Sequence, residues 1–155
     1  MMQTRRFRLQ PVLSHKERLE DICQTELAAI EIARARERHA LELLNELERR
    51  RLEQLDSQHG LGRLDVNSIA LHFYDLQALQ DRIEQQQMVL ERLAEKAEKK
   101  RAQLIEISKE KKSLEKLKEV HDKEAARAEA KAENKILEDI ATAQFHRHRR
   151  NRIEQ

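Results

Sequence analysis

Asp56-Ser57-Gln58-His59-Gly60-Leu61-Gly62-Arg63-Leu64-Asp65-Val66-Asn67-Ser68 holds both glycines of a 155-residue chain. On each side lies a long, glycine-free, highly charged run whose apolar residues return at helical intervals. A break of about a dozen residues between two such runs is the signature of an antiparallel helical hairpin.

The composition supports this reading. Charged residues make up 39% of the chain, which has no Trp, one Tyr, three Phe and one Pro. Such a Glu-, Lys-, Arg-, Leu- and Ala-rich mixture is that of long helices and coiled coils. It fills a narrow apolar seam, not a thick globular core. The expected fold is all-α: a long antiparallel two-helix coiled-coil hairpin with an overhanging second helix. The whole chain forms one elongated unit, with helix 1 over about 11–55, a loop over 56–66 and helix 2 over about 67–146.

Two start signals precede helix 1. Pro11 suits a first turn, where its missing N–H is not needed. Ser14 and Glu17 have the spacing of a capping box. From there a 3-4 count passes through Leu9, Val12, Lys16, Leu19, Cys23, Glu26, Ile30, Ala33, Glu37, Ala40, Leu44, Leu47 and Arg51. Leu27, Leu41, Leu43, Leu52 and Leu55 lie beside this stripe, which is therefore broad and interrupted by charge.

Helix 2 has good N-caps in Asp65, Asn67 and Ser68. Its stripe opens Ile69, Phe73, Leu76, Leu79, Ile83, Gln86 and runs on through Leu114, Leu117 and His121 to Ile136 and Ile140. The spacing shifts by a residue near His121, which predicts a local change in supercoil. At ~1.5 Å per residue helix 2 would extend roughly 115–120 Å and helix 1 about 65–75 Å, so the second must overhang the first. The overhang is rich in alanine, which sustains a helix with little tertiary help.

Several chemistries are disfavoured. Carboxylates on solvated helices lack the pocket that shifts a catalytic pKa, so the chain does not read as an enzyme. Gly60-Leu61-Gly62 lacks the longer phosphate-loop fingerprint and a preceding strand. His146 and His148 diverge around a helix and cannot easily share a metal ion. No cofactor is implied. The single cysteine, Cys23, excludes an internal disulfide, fits a reducing compartment and sits on the apolar stripe as a small hydrophobe. No apolar run reaches the ~20 residues needed to span a bilayer, and no signal core follows the basic N-terminus, so a cytosolic protein is expected.

The formal charge is only +2, but it is uneven. Arg5, Arg6 and Arg8 crowd the start; Arg147, Arg149, Arg150 and Arg152 crowd the end. In a hairpin these clusters would form one basic end. They suit a helix C-terminus or an acidic protein partner. Nucleic acid is disfavoured, because no aromatics interleave with the basic residues.

Near the break, Ile69, Ala70, Leu71, Phe73, Tyr74, Leu76 and Leu79 exceed what a two-helix seam needs. Phe73 and Tyr74 are adjacent and cannot both face one partner helix. Either one is exposed as part of a docking site, or the loop covers it through Leu61 and Leu64.

Phe7-Arg8-Leu9-Gln10-Pro11-Val12-Leu13, followed by Lys16-Glu17 and Glu20-Asp21, resembles the opening of the flagellar export protein FliJ family. Lys112, Leu114-Glu115-Lys116-Leu117, Glu133 and Ile136-Leu137-Glu138-Asp139-Ile140-Ala141 resemble its closing pattern, except that the family often has Asp-Glu at 138–139. The resemblance implies a cytoplasmic component of the flagellar type III export apparatus, peripheral to the inner membrane at the flagellar base. It implies a coiled coil similar to a rotary-ATPase central stalk, with three partners: a hexameric export ATPase, the cytosolic domain of the export gate, and export chaperones. Membrane contact would be indirect, through the gate. Carried onto this chain, the ATPase-ring contact is Phe7, Leu9, Leu13, Ile136, Leu137 and Ile140, with Arg147 and Arg149. The export-gate contact is Leu44, Leu47, Arg51, Phe73, Tyr74, Leu76, Leu79 and Gln86. Rival readings are the stalk of a virulence type III secretion system, a rotary-ATPase stalk subunit, and a generic structural coiled-coil rod.

Overall fold

A computed structural model describes residues 6–62 and 65–153. Arg5, counted above in the basic start, and Leu64, considered as a cover for the aromatic pair, lie outside the described residues. The described chain is all-α. It consists of α1 (Gln10–Gly60) and α2 (Val66–Ile153), packed against each other as an antiparallel hairpin.

Of the two start signals, the proline prevails. The first α-type bond runs from the Leu13 N–H to the Leu9 carbonyl at 2.9 Å, and Gln10 donates to Phe7 at 3.1 Å. Pro11 thus falls among the first four positions, whose N–H groups have no partner within the helix. Ser14 lies inside α1 and caps nothing; its hydroxyl accepts from Gln10 Nε2 at 3.4 Å. At α2 the first carbonyl acceptor is Asp65, bonded by the Ile69 N–H at 3.0 Å, so Asp65 is the cap among the three candidates.

The break is shorter than the sequence suggests. Residues 56–60 continue α1, and Gly60 is helical. One glycine costs a helix only about 1 kcal/mol, which a long preceding helix can absorb. The true stop is Gly62, whose φ of 65° is left-handed. Leu61 and Gly62 donate to Gln58 and His59, tightening the last turn. At the other end α2 runs to Ile153, past the expected 146.

The chain divides into two units, Leu19–Glu106 and Met1–Arg18 with Ile107–Gln155. In the first, the inward face of α1 is Glu20, Cys23, Leu27, Ile30, Arg34, Glu37, Leu41, Leu44, Glu48, Arg51 and Leu55, a strict alternation of three and four. The apolar 3-4 count shares Cys23, Ile30, Glu37, Leu44 and Arg51 with this seam but falls on the preceding residue at every other step. The α2 face is Ser68, His72, Leu76, Leu79, Ile83, Gln86, Leu90, Leu93, Ala97, Lys100 and Leu104. Cys23, Leu79, Ile83 and Ala97 are buried, and Ala97 is wholly inaccessible. The Cys23 thiol donates to the Lys100 carbonyl at 3.5 Å.

Charges within the seam are satisfied at its edges. Arg51 meets Asp75 at 3.4 Å, Gln80 donates to Glu48 at 3.2 Å, and Gln86 donates to the Glu37 carbonyl at 2.9 Å. Lys100 pairs with Glu26 and Arg101 with Glu31. Long side chains can keep their stems in the seam and their heads in water.

In the second unit, Gln10, Leu13 and Lys16 of α1 meet the α2 face formed by Ile107, Lys111, Leu114, Lys118, His121 and Ala125. Leu13 is buried, and Lys16 pairs with Glu110. The spacing does not slip near His121. Lys118 occupies the inward position and Leu117 is exposed, so the three-four alternation continues. The expected shift came from following apolarity rather than phase. From Glu133 to Ile153 every described residue is exposed, so the end of α2 is the expected unpaired overhang.

Candidate partner-docking surfaces

In the unit holding the turn, phase again overrides apolarity. Counting back four from Leu76 reaches His72, not Phe73. His72 Nε2 lies 3.1 Å from Gln58 Oε1 across the hairpin. Phe73 and Tyr74 are both outside, 64% and 69% exposed, and pack edge-to-face at a centroid distance of 6.4 Å. Leu71 is exposed beside them, and Leu61 is too exposed to serve as a cover.

Of the residues the resemblance assigned to this surface, Leu47, Phe73 and Tyr74 face outward. Leu44, Leu76 and Gln86 are half-buried in the seam, Leu79 is buried there, and Arg51 is held by Asp75. The first three can touch a partner directly; the others set the spacing and tilt of the helices that present them.

In the unit holding both chain ends, the Phe7 ring packs on His121 at a centroid distance of 5.5 Å, with the planes tilted by 56°. Arg6, Phe7, Arg8 and Pro11 face His121, Ala125 and Ala126 across an open groove of about 980 Å³. The sequence puts His121 on the inward stripe of α2 but gives no sign that Phe7, which precedes α1, reaches it. Leu9 is exposed at the edge. Ile136, Leu137 and Ile140 are exposed on the overhang, and Ile136 stands about 22 Å beyond His121 along α2 at ~1.5 Å per residue.

The two basic clusters do not merge into one end. Arg6 and Arg8 line the groove at His121, whereas Arg147 is about 39 Å further along α2 at ~1.5 Å per residue. The helix simply continues past the start of its partner. Arg147, Arg149, Arg150 and Arg152 are exposed, with no carboxylate in ion-pair reach among the described residues.

Electrostatics on α1 are local. Arg49 holds Glu46 through two bonds of 2.7 and 2.9 Å, and Arg50 adds a third at 2.9 Å. These donors pull the Glu46 carboxyl from 4.5 down to about 2. Hydrogen bonding to Lys123 lowers Glu119, and hydrogen bonding to Glu26 raises Lys100. None of these groups lies in an enclosed site. Among the described residues no His, Cys, Asp and Glu cluster could hold a metal ion, and no helix is long and apolar enough to cross a membrane.

Comparison with known proteins agrees with the architecture. No curated protein and no solved structure matches the chain. The sequence profile described as Flagellar FliJ protein matches residues 5–150. With that match spanning nearly all of a two-helix hairpin, the chain belongs to the flagellar FliJ protein family and is a protein associated with flagellar export.

Proposed function

We propose that the chain is a non-catalytic central stalk and adaptor of the flagellar type III export apparatus. It promotes assembly and activity of the hexameric export ATPase and links that ring to the cytosolic domain of the export gate and to export chaperones. It acts at the flagellar base and meets the membrane only through the gate. The observation that carries this reading is the family match over residues 5–150.

The geometry supports the reading in each unit separately. One offers Phe7, Leu9, Ile136, Leu137 and Ile140, with Arg147 and Arg149, as the ring contact; the buried Leu13 braces the helices behind them. The other offers Leu47, Phe73 and Tyr74 as the gate contact. Exposed aromatics are effective anchors because they bury much area with little side-chain entropy to lose.

Adding the chain to the export ATPase should raise ATP turnover and shift the enzyme toward hexamers in sedimentation. No rise, together with no binding, would overturn the reading.

A further inference from the structure

α1 carries a second apolar stripe that the hairpin covers only in part. It begins at Leu19 and Ile22, passes Ala29, Ala33 and Ala40, and ends at Leu43 and Leu47. With Glu26 and Arg36 at the two intervening positions, it too alternates three and four residues, the spacing of a surface that receives another helix. Ile22 is 55% and Leu43 59% exposed. The stripe runs along the side of the hairpin marked by the Glu26–Lys100 and Arg51–Asp75 pairs.

The facing edge of α2 on that side is basic. Arg82, Arg92, Lys96 and Lys99 are exposed there, as is Arg36 within the stripe. Among the described residues none of the five has a carboxylate within ion-pair reach. The opposite side differs in its cations: its edges are polar, Gln80 donates to Glu48, and its Arg101 is already paired with Glu31.

From this we infer that the side of the hairpin between Leu19 and Leu47 is a docking groove for an acidic amphipathic helix. Apolar side chains of that helix, spaced three and four apart, lie on the α1 stripe, and carboxylates along its edge meet the α2 cations. A second copy of this chain is the wrong occupant. Its stripe is apolar, but it would bring the same five cations against their equals, and like charges at an interface are unfavourable. The groove shares only Leu47 with the gate contact proposed above and does not depend on it.

The test uses the full-length chain and a fluorescent synthetic helix of about four heptads, with Leu at the inward positions and Glu along both edges. Fluorescence anisotropy should show binding that weakens as salt is raised. Arg92→Glu with Lys96→Glu should weaken it about tenfold or more. Ile22→Asp with Leu43→Asp should abolish it, with circular dichroism unchanged because both side chains are already in water. Failure of the wild type to bind, undiminished binding by either double variant, or equal binding of a peptide with Lys in place of Glu would overturn the inference. So would a wild-type dimer in sedimentation that Ile22→Asp with Leu43→Asp dissociates, since a second copy would then cover the stripe.

Discussion

The inward seam of α1 and the stripe beside it share one spacing, but the buried face is the more charged of the two. Between Glu20 and Leu55 the seam includes Glu20, Arg34, Glu37, Glu48 and Arg51; the stripe from Leu19 to Leu47 includes only Glu26 and Arg36. Yet α2 packs on the seam. Size is one reason. Ile30 and Leu41 lie in the seam beside the stripe's Ala29 and Ala40, and each buried methylene contributes ~0.8 kcal/mol. Satisfaction at the edge is the other: the seam charges reach partners without being wholly desolvated. Apolar count alone therefore does not choose which face pairs.

The sharpest way to break this contrast is to cut into the seam. Leu79→Ala should cost about 2–3 kcal/mol, since it removes a buried side chain and leaves a cavity. Urea unfolding followed by helix content would report it. A cost under ~0.5 kcal/mol, the range of surface substitutions, would show that the hairpin does not rest on this seam.

The two glycines should respond with opposite signs. Gly62→Ala should destabilise by about 1 kcal/mol, because φ is 65° there. Gly60→Ala should stabilise by roughly 0.5–1 kcal/mol: Gly60 is helical, and an added Cβ would meet nothing within 4 Å. The same denaturation measurement separates them, and equal effects would deny that α1 includes Gly60 and ends before Gly62.

Outside the seam, Phe73→Ala with Tyr74→Ala should change stability by no more than ~0.5 kcal/mol per site while weakening binding to the gate domain. A large loss of helix would mean that these rings are structural. The smallest expected effect lies at Glu46. Its folded pKa is below the ordinary value of 4.5, so its pairing favours the folded chain above that pH and is lost as pH falls through about 2. Carboxyl NMR titration should find a midpoint near 2, and Arg49→Ala should raise it toward 4.5. An unmoved midpoint would assign the shift elsewhere.

Much of the fold was legible because local rules govern long helices. Helix type, the turn and an overhanging α2 follow from periodicity and capping chemistry, whereas the choice of Pro11 over Ser14 and of Asp65 over Asn67 and Ser68 came from the structure. The sites were less legible. At Phe73 and Leu117 a bulky apolar residue sits one place from the inward position, and hydrophobicity drew the reading toward it; the register instead seats His72 and Lys118. These displaced residues are the ones left exposed and able to meet a partner.

The sequence by itself determined that two charged helices flank a glycine-bearing turn, since each residue's backbone preference acts within a few neighbours. Only the tertiary structure decided which face of α1 is buried, that α1 runs on to Gly60 rather than ending at about residue 55, and which apolar side chains remain in water. Those choices depend on the side chains of the opposing helix, whose register is fixed by contacts between residues far apart in the chain.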